Sequence, residues 1–485
     1  MPDIQINQIN ASFIQLICEP HIAKEISESF TFYAPNYQYS KRRGWNGKIN
    51  LLSAQNLIYA GLFHNLLNWA KEHDYTTDYE YPCNALNPLA FQPDTPFVKS
   101  FSLSLVPRQY QLDILKDCME QGRAAVVSPT ASGKSLVIYM LTQVYSGKLL
   151  IIVPTVNLVD QMFSDFLDYG ADCTTIGRIS EQHRKIQDPT RRIQISTWQS
   201  LMDYPSEYFE QFKTVIGDEC HGFKAKTLIH IMKQCVNAHY RFGFTGTLSN
   251  NVMVHELILE GLFGPIIKGE TTKNLINQGY LSELKINIEV LEHSESDRKL
   301  MKGADYNTES QFLINHKERT QFIKDLVVSL KGATFVLFRI IAHGKELYKE
   351  ISKERKCYLV YGETEADLRE AIRQLADVDE RTIVVASYGV FALGVNVPNL
   401  CNVVFASPYK AKIKVLQSIG RSLRKTETKF NVYVWDVVDD LSIGSHKNFG
   451  TKHYLERIKI YNKEQFDYTI RRRKLPHDQK EKLHQ

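Results

Sequence analysis

A short polar loop between an apolar run and a helical pattern is the first segment of this sequence that could do chemistry. Residues 128–135 read Ser-Pro-Thr-Ala-Ser-Gly-Lys-Ser. Residues 124–127 before it read as a buried strand, and apolar residues at helical spacing follow it. Such a turn points backbone N–H groups and the positive end of a helix dipole into one concavity, which suits phosphates. The pattern predicts that Lys134 reaches the β- and γ-phosphates of a nucleotide and that the Ser135 hydroxyl ligates Mg²⁺.

The rest of this loop supplies backbone donors. We expect the phosphates to be lined by Thr130, Ala131, Ser132 and Gly133. Ser128 stands where the general pattern begins with glycine. The alternative interpretation of the segment alone is a polar turn that happens to contain Gly-Lys-Ser.

Two adjacent carboxylates form the second chemical element. Asp218 and Glu219 follow the apolar stretch 214–217, and the carboxyl end of a parallel strand is where an open α/β sheet binds its ligand. Asp218 is predicted to hold Mg²⁺, and Glu219 to orient and deprotonate the attacking water.

The third element is a helix face with two arginines. Gln417, Arg421 and Arg424 are spaced i, i+4 and i+7, so one face presents an amide and two guanidiniums. An arginine so placed can stabilise charge on a transferring phosphoryl group. An exposed basic helix that binds nothing is the alternative.

A basic and aromatic cluster near the N-terminus suggests contact with nucleic acid. Lys41, Arg42, Arg43, Trp45 and Lys48 lie within residues 37–48, among tyrosines and glycines. Cations neutralise phosphates while rings lie on sugars or bases. A solvated hairpin with a packing tryptophan explains the cluster equally well.

Most of the basic excess lies in the last residues of the chain. Residues 445–485 hold eleven Lys and Arg against five Asp and Glu, although the whole chain has a net charge of only +5. Arg471, Arg472 and Arg473 follow an amphipathic helical run. They are predicted to add salt-sensitive DNA affinity, unless the segment is a solvated tail.

Composition narrows the class of protein. The chain has 485 residues, 43% apolar and 23% charged, which is typical of a soluble protein of several domains. The first residues lack the pattern of a secretory leader, and the longest uncharged span, 382–409, is interrupted by glycines, asparagines and a proline. The eight cysteines form no C-x-x-C pair and have no partnering histidine spacing, so neither a zinc site nor a disulfide framework is predicted and a reducing cytoplasm is expected.

The distribution of apolar runs predicts an α/β architecture. Short apolar runs alternate with helical patterns in two series, which predicts two parallel-sheet domains joined near residues 280–310. A small α+β domain precedes them, followed by a linker that holds five of the sixteen prolines between residues 82 and 107. The predicted strands are 124–127, 149–153, 193–196, 214–217 and 241–244, then 334–338, 357–360, 382–386, 402–406 and 431–435. The predicted domains are 1–96, 97–285, 286–445 and 446–485, the last a basic helical extension.

Together these segments resemble the superfamily-two helicases, over residues 105–440. The matching stretches are 108–111, the phosphate loop, 154–161, 196–201, Asp218-Glu219-Cys220-His221, 245–247, 387–398 and 417–424. The resemblance implies two RecA-like motor domains with ATP bound between them. It also implies an adenine contact from Gln109, a nucleotide contact from Gly394, and backbone contacts to nucleic acid from Thr155 and Thr197. Asn396 stands where many relatives have aspartate.

Within that superfamily the sequence resembles the UvsW-type bacteriophage helicases. The resemblance is carried by residues 387–391, 435–440 and 45–52. It implies an N-terminal DNA-binding domain, ATP and Mg²⁺ as cofactors, and branch migration and fork regression on branched DNA. We expect a monomer with no membrane contact, in the host cytoplasm if phage-encoded. An RNA helicase, the motor subunit of a DNA-cleaving complex and a nucleic-acid-binding protein with a vestigial nucleotide site are the alternatives.

Overall fold

The computed structural model divides the chain into two compact units, Met1–Glu270 and Thr271–Gln485. It describes residues 2–34, 46–79, 99–180, 188, 190–223, 225–248, 253–392, 397–407, 420, 423, 425, 429 and 431–476. No helix in these ranges has the length and apolar content needed to cross a membrane.

The first unit begins with a small α+β module, as predicted. A mixed four-stranded sheet has the strand order β5-β2-β1-β6, and β3 pairs separately with β4. Alternation in β2 buries Ile14 and Leu16 against the two helices, which is why this segment is a strand. The elements are β1 (Ile4–Gln8), β2 (Phe13–Cys18), α1 (Pro20–Ser29), β3 (Thr31–Tyr33), β4 (Lys48–Asn50), β5 (Leu57–Tyr59), α2 (Phe63–Glu72) and β6 (Thr77–Tyr79).

A seven-stranded parallel sheet forms the rest of the first unit, with the order β13-β7-β12-β11-β8-β10-β9. All five strands predicted here are present, and β9 and β13 are additional. The elements are α3 (Gln109–Gln121), β7 (Arg123–Val127), α4 (Lys134–Val144), β8 (Lys148–Val153), α5 (Val156–Asp168), β9 (Ile176–Ile179), β10 (Ile193–Thr197), α6 (Trp198–Leu201), α7 (Ser206–Glu210), β11 (Phe212–Asp218), α8 (Lys226–Gln234), β12 (Tyr240–Thr245), α9 (Met253–Phe263) and β13 (Ile266–Lys268).

The N-terminal module packs directly onto this sheet. The Arg123 guanidinium donates to the Ala11 carbonyl over 2.9 Å, and the fully buried Arg241 donates to Ser12 Oγ over 2.8 Å. The two layers also meet at Gly61, where an added Cβ would lie 2.0 Å from the carbonyl oxygen of Glu260 in α9. This packing, in addition to the proline-rich linker, fixes the position of the module on the first sheet.

The second unit is built on another seven-stranded parallel sheet, with the order β16-β17-β15-β18-β19-β14-β20. All five strands predicted for it are present. The elements are α10 (Thr272–Asn277), β14 (Glu283–Glu292), α11 (Glu295–Leu300), α12 (Tyr306–Asn315), α13 (Lys317–Ser329), β15 (Ala333–Phe338), α14 (Ile341–Ile351), β16 (Cys357–Val360), α15 (Ala366–Val378), β17 (Ile383–Ser387), α16 (Tyr388–Ala392), β18 (Leu400–Phe405), β19 (Asn431–Asp440), α17 (Phe449–Lys463) and β20 (Tyr468–Lys474).

Two features of this unit differ from the arrangement expected from the sequence. Residues 280–310 are not only a connection, because they contain the ten-residue strand β14, and the units divide after Glu270 rather than after residue 285. The backbone N–H of Ser282 donates to the Leu423 carbonyl, which ties this stretch to the second unit. In the described part of the extension, residues 446–476, α17 is followed by the strand β20, which joins the sheet beside β14.

Candidate active site

The predicted chemical residues of the first unit gather at one edge of its sheet. In a parallel sheet the carboxyl ends of all strands lie at the same edge. The phosphate loop follows β7 there, and β12 and β11 are the next strands in order, so Thr245 and Asp218 end beside it. Thr155 and Thr197 lie at the same edge, after β8 and at the end of β10.

The phosphate loop has the left-handed backbone that such a turn requires. Ala131 has a φ of 68° and Gly133 a φ of 76°. An added Cβ on Gly133 would lie 2.4 Å from Gln111 Nε2, so both conformation and close packing require glycine here. Ser128 replaces the usual glycine without a positive φ, and its buried hydroxyl donates to Ser132 Oγ over 2.8 Å.

Lys134 and Ser135 begin α4 at the mouth of the loop. The Lys134 ammonium donates to the carbonyls of Ser128 and Pro129 over 3.2 and 3.1 Å, so it folds back onto the loop. The Ser135 hydroxyl shares a hydrogen bond with the Tyr169 phenol. A nucleotide would exchange these contacts for phosphate oxygens, which are better acceptors for an ammonium because they carry charge.

Helix α3 supports the loop through residues that the sequence analysis did not assign. The Tyr110 phenol and the Gln111 amide both donate to the Ser132 carbonyl, over 2.6 and 3.0 Å. The predicted adenine contact, Gln109, is exposed, and its amide donates to Asp113. Gln111 is only two residues from Gln109, and the spacing of apolar residues does not show which of the two side chains faces the loop.

The Asp-Glu pair connects to β12 through His221. Glu219 adopts a left-handed φ of 50°, and its Oε2 lies 3.1 Å from His221 Nδ1. The same Nδ1 lies 3.0 Å from Thr245 Oγ1. Because Thr245 donates its own proton to the Thr247 carbonyl, the proton between Thr245 and His221 belongs to Nδ1. His221 therefore lies between the Asp-Glu pair and the turn after β12.

Electrostatics at this edge favour binding of a cation. Burial raises the pKa of Asp218 to about 6, with a further contribution from the Glu219 charge and an opposing one from Lys134. Two adjacent carboxylates repel each other, and a cation between phosphate and protein relieves that repulsion. Carboxylate and hydroxyl oxygens are the ligands that Mg²⁺ prefers, so Asp218 and Ser135 fit that ion.

The predicted contacts to nucleic acid at this edge involve side chains that are already packed. Thr197 is 2% exposed, and its hydroxyl caps α6 through Ser200. Thr155 precedes α5, and its Oγ1 is buried without a hydrogen-bond partner among the described residues. Neither hydroxyl faces solvent in this conformation.

Several predicted site residues lie outside the described residues. These are Lys41, Arg42, Arg43, Trp45, Gly394, Gln417, Arg421 and Arg424, together with Asn396. Lys48 is described: it is exposed at the start of β4, with its ammonium 5.7 Å from the centre of the Tyr33 ring.

The three predicted arginines of the C-terminal segment lie on β20, paired with acids. Arg473 Nε donates to Glu289 Oε2 over 3.0 Å, and an Arg471 nitrogen lies 3.5 Å from the other oxygen of that carboxylate. Arg472 donates to Glu292 over 3.1 Å. Each side chain is about half exposed, so part of each charge still faces solvent.

Two RecA-like sheets, with a phosphate loop and an Asp-Glu-Cys-His sequence at the carboxyl edge of the first, define the ATPase motor of a superfamily-two helicase. Three family models match the chain: "DNA helicase UvsW, N-terminal" over residues 3–79, "Type III restriction enzyme, res subunit" over 104–250, and "Helicase conserved C-terminal domain" over 318–426.

The chain is 31% identical over 502 residues to the ATP-dependent DNA helicase uvsW of Enterobacteria phage T4, covering 97% of this chain and 99% of that protein. The chain belongs to the UvsW family of helicases and is therefore an ATP-dependent enzyme that acts on DNA.

It is also 24% identical over 362 residues to the DNA 3'-5' translocase XPB2 of Sulfurisphaera tokodaii, covering 66% of this chain and 79% of that one. The fragment structure of a putative HsdR subunit of a type I restriction enzyme from Vibrio vulnificus has the same fold, with a TM-score of 0.57 and 16% sequence identity. The match covers 88% of this chain and 85% of that one.

Proposed function

We propose that this helicase remodels branched DNA, by branch migration and fork regression, as a monomer that uses ATP with Mg²⁺. The observation that carries the proposal is the buried contact between the N-terminal module and the ATP-binding sheet. A motor that grips a strand by its backbone does not distinguish a branch from a linear strand. A second DNA contact at a fixed distance from the motor can distinguish a branch from a linear strand. The hydrogen bonds of Arg123 and Arg241 to the N-terminal module fix the position of such a contact.

The hydrolytic roles are assigned to the edge of the first sheet and to four residues of the second unit. Lys134 and the backbone of residues 130–133 bind the phosphates, and Ser135 and Asp218 hold Mg²⁺. Glu219 orients and deprotonates water, while Arg421 and Arg424 stabilise charge on the transferring phosphate. Gln417, Gly394 and Gln109 complete the nucleotide contacts, with Gln111 supporting the loop. His221 transmits the state of Glu219 to the turn after β12.

The DNA contacts are divided among three places. Lys41, Arg42, Arg43, Trp45 and Lys48 receive a duplex arm, and they belong to or adjoin the stretch between β3 and β4. Residues around Thr155 and Thr197 follow the neighbouring strand through backbone groups, since both hydroxyls are packed. Arg471, Arg472 and Arg473 add a smaller contribution, reduced by their carboxylate partners.

The test compares substrates and variants. ATP hydrolysis and strand displacement are measured on single-stranded DNA, duplex, a fork, a four-way junction and RNA. The triple change Lys41→Ala, Arg42→Ala, Arg43→Ala is expected to weaken fork and junction binding and to leave hydrolysis on single-stranded DNA nearly unchanged. The matched control changes Lys24 and Lys71 to alanine, two cations on α1 and α2 of the same module. An equal loss of binding on every substrate would mean that the cluster contacts DNA of any structure, and it would refute the proposal.

The same panel separates the alternatives. Stimulation by RNA above DNA would indicate an RNA helicase, and the absence of any nucleic-acid stimulation would indicate a vestigial nucleotide site. Strand cleavage would point to a restriction-type motor, whose fold this chain shares. We place the protein in the cytoplasm, a reducing compartment, because all the described cysteines are free thiols.

A further inference from the structure

Two histidines and an aspartate meet in the second unit, and none of the three has been given a role above. His293 directly follows β14, Asp297 lies in the first turn of α11, and His316 is the residue before α13. One nitrogen or oxygen atom from each of the three lies within 4.8 Å of the other two. His316 Nε2 is 3.5 Å from Asp297 Oδ2.

His293 supplies a second, independent observation. Its side chain is fully buried, and its Nε2 lies 3.1 Å from Asp439 Oδ1. Its Nδ1 is buried with no hydrogen-bond partner among the described residues. A buried imidazole nitrogen without a partner is costly, and a bound cation would satisfy it.

Both imidazoles have a carboxylate on the ring nitrogen that faces away from the cluster. Asp439 contacts His293 Nε2, and Glu318 Oε2 lies 3.2 Å from His316 Nδ1. For His293 this carboxylate accepts the Nε2–H and so leaves Nδ1 free to bind a metal. His316 Nδ1 also accepts the backbone N–H of Arg319 over 3.4 Å. A metal at His316 Nε2 would therefore require the proton that now faces Asp297 to leave Nε2, and Nδ1 beside Glu318 can take it. The inward nitrogens are then Nδ1 of His293 and Nε2 of His316.

The local charge also favours a divalent cation. Three carboxylates belong to this group, those of Asp297, Glu318 and Asp439. The Arg319 guanidinium, which bonds Asp439 through its Nε over 2.8 Å, supplies one positive charge. With neutral imidazoles the group has a formal charge of −2, three negative charges against one positive, and a divalent ion neutralises it.

We propose that His293, Asp297 and His316 form a binding site for a divalent transition metal, zinc by preference. Zinc accepts two imidazoles and a carboxylate with a fourth position for water, at about 2.0–2.2 Å from each ligand. Tetrahedral geometry then places neighbouring ligand atoms about 3.4 Å apart, close to the 3.5 Å between His316 and Asp297. Mg²⁺ does not suit the site because it prefers oxygen ligands.

The metal would have a structural role. It would join the end of β14, the start of α11 and the corner before α13. From there, Arg319 donates to the Ala406 carbonyl over 2.6 Å, directly beyond β18. The chain continues from this point into the segment that carries Arg421 and Arg424. Metal binding would therefore stabilise the corner formed by β14, α11 and α13, together with the end of β18 that Arg319 contacts.

The test uses the full chain without an affinity tag, because a histidine tag binds zinc itself. After treatment with a chelator and re-equilibration with zinc, mass spectrometry should find one zinc per chain. Asp297→Asn should lower zinc affinity at least tenfold, whereas Glu295→Gln, an exposed acid two residues earlier on α11, should not. Glu318→Gln should weaken binding about 10–100-fold, as expected when the carboxylate partner of a metal-binding histidine is lost.

Cobalt provides a measurement that needs no variant. Co²⁺ in a four-coordinate site of nitrogen and oxygen ligands gives intense visible absorption bands, and zinc should displace them. Retention of zinc by Asp297→Asn equal to that of the unchanged protein would overturn the proposal. So would an unchanged protein that binds neither zinc nor cobalt, and one whose bound cobalt gives only the weak spectrum of the hydrated ion.

Discussion

The hydroxyl of Ser135 and the phenol of Tyr169 lie 2.8 Å apart, so the proposed Mg²⁺ ligand already has a partner before nucleotide arrives. Tyr169 directly follows the last residue of α5, and Thr155 directly precedes the first residue of the same helix. A helix of 13 residues spans about 20 Å, so α5 links a proposed DNA contact to the proposed metal ligand. Movement of this helix on DNA binding would change the availability of Ser135.

Tyr169→Phe is expected to lower the Mg·ATP concentration that gives half-maximal hydrolysis. The nucleotide no longer has to displace a hydrogen bond worth about 0.5–1.5 kcal/mol, which corresponds to a gain of up to about tenfold. Steady-state kinetics with saturating DNA measures the change. Tyr208→Phe, which removes a different buried phenol of the same unit, serves as the control. Unchanged or weaker half-saturation in Tyr169→Phe would contradict the expectation.

Lys134→Ala and Glu219→Gln should separate binding from hydrolysis. Lys134→Ala removes the ammonium that neutralises phosphate charge, so both nucleotide binding and turnover are expected to fall while DNA binding remains. Glu219→Gln should retain ATP binding and lose turnover by about 10²–10⁴, the contribution of a general base. Nucleotide binding and phosphate release are measured in parallel, and normal turnover in either variant would refute its assigned role.

The raised pKa of Asp218 predicts a pH dependence of Mg·ATP binding. Burial favours the neutral acid, so without nucleotide the carboxylate gains a proton as the pH falls through about 6. Mg²⁺ needs the ionised form, and its apparent affinity should fall about tenfold per pH unit below that value. Above pH 7 the affinity should be constant. Binding measured from pH 5 to 8 tests this expectation.

Two variants check the origin of this pH dependence. Asp218→Asn should bind Mg·ATP weakly at every pH. Glu219→Gln removes the neighbouring negative charge and should shift the fall to lower pH, because that charge helps to raise the pKa of Asp218. If the affinity of Glu219→Gln falls at the same pH as that of the unchanged protein, the Glu219 charge does not contribute to the raised pKa of Asp218.

His221 is expected to couple hydrolysis to DNA. His221→Ala removes the Nδ1–H that donates to Thr245 and lies 3.1 Å from Glu219 Oε2. It should lower DNA-stimulated hydrolysis by up to about tenfold, the loss expected for a neutral hydrogen bond worth about 0.5–1.5 kcal/mol. Nucleotide affinity should change little. His221→Asn is the matched control, because its amide N–H occupies nearly the position of Nδ1 and should recover part of the activity. Equal activity in both variants would exclude the Nδ1 contact as the cause.

The β20 arginines should affect stability as well as DNA binding. Glu289 is 2% exposed, and Arg473→Ala leaves its charge with weaker compensation. We expect a loss of about 1–3 kcal/mol in the free energy of unfolding of the second unit. The double variant Glu289→Gln, Arg473→Ala should recover most of that loss, as measured by denaturant unfolding. A purely DNA-binding arginine would give no stability change in either variant.

Local sequence was sufficient to predict the phosphate loop and most strands, because each is a contiguous run with one period. It was insufficient for β14, where charged residues alternate with Leu284, Ile286 and Ile288, and for β20, which reads as a basic tail. Both become strands because each pairs with the other and their opposite charges compensate. The site contacts of Gln111, Tyr169 and His293 join residues distant in the chain, and spacing alone does not reveal them.

The position of β14 in the second sheet has a consequence for how the protein is made. Its partner β19 pairs Asn431 with Glu283, so the strand leaves the ribosome 148 residues before its neighbour exists. Until then both of its edges expose unpaired backbone beside an apolar face, which favours association with other chains. Acidic residues along β14 oppose such association through their mutual repulsion. The arginines of β20, which are synthesised after both β14 and β19, then neutralise that charge when the sheet is complete.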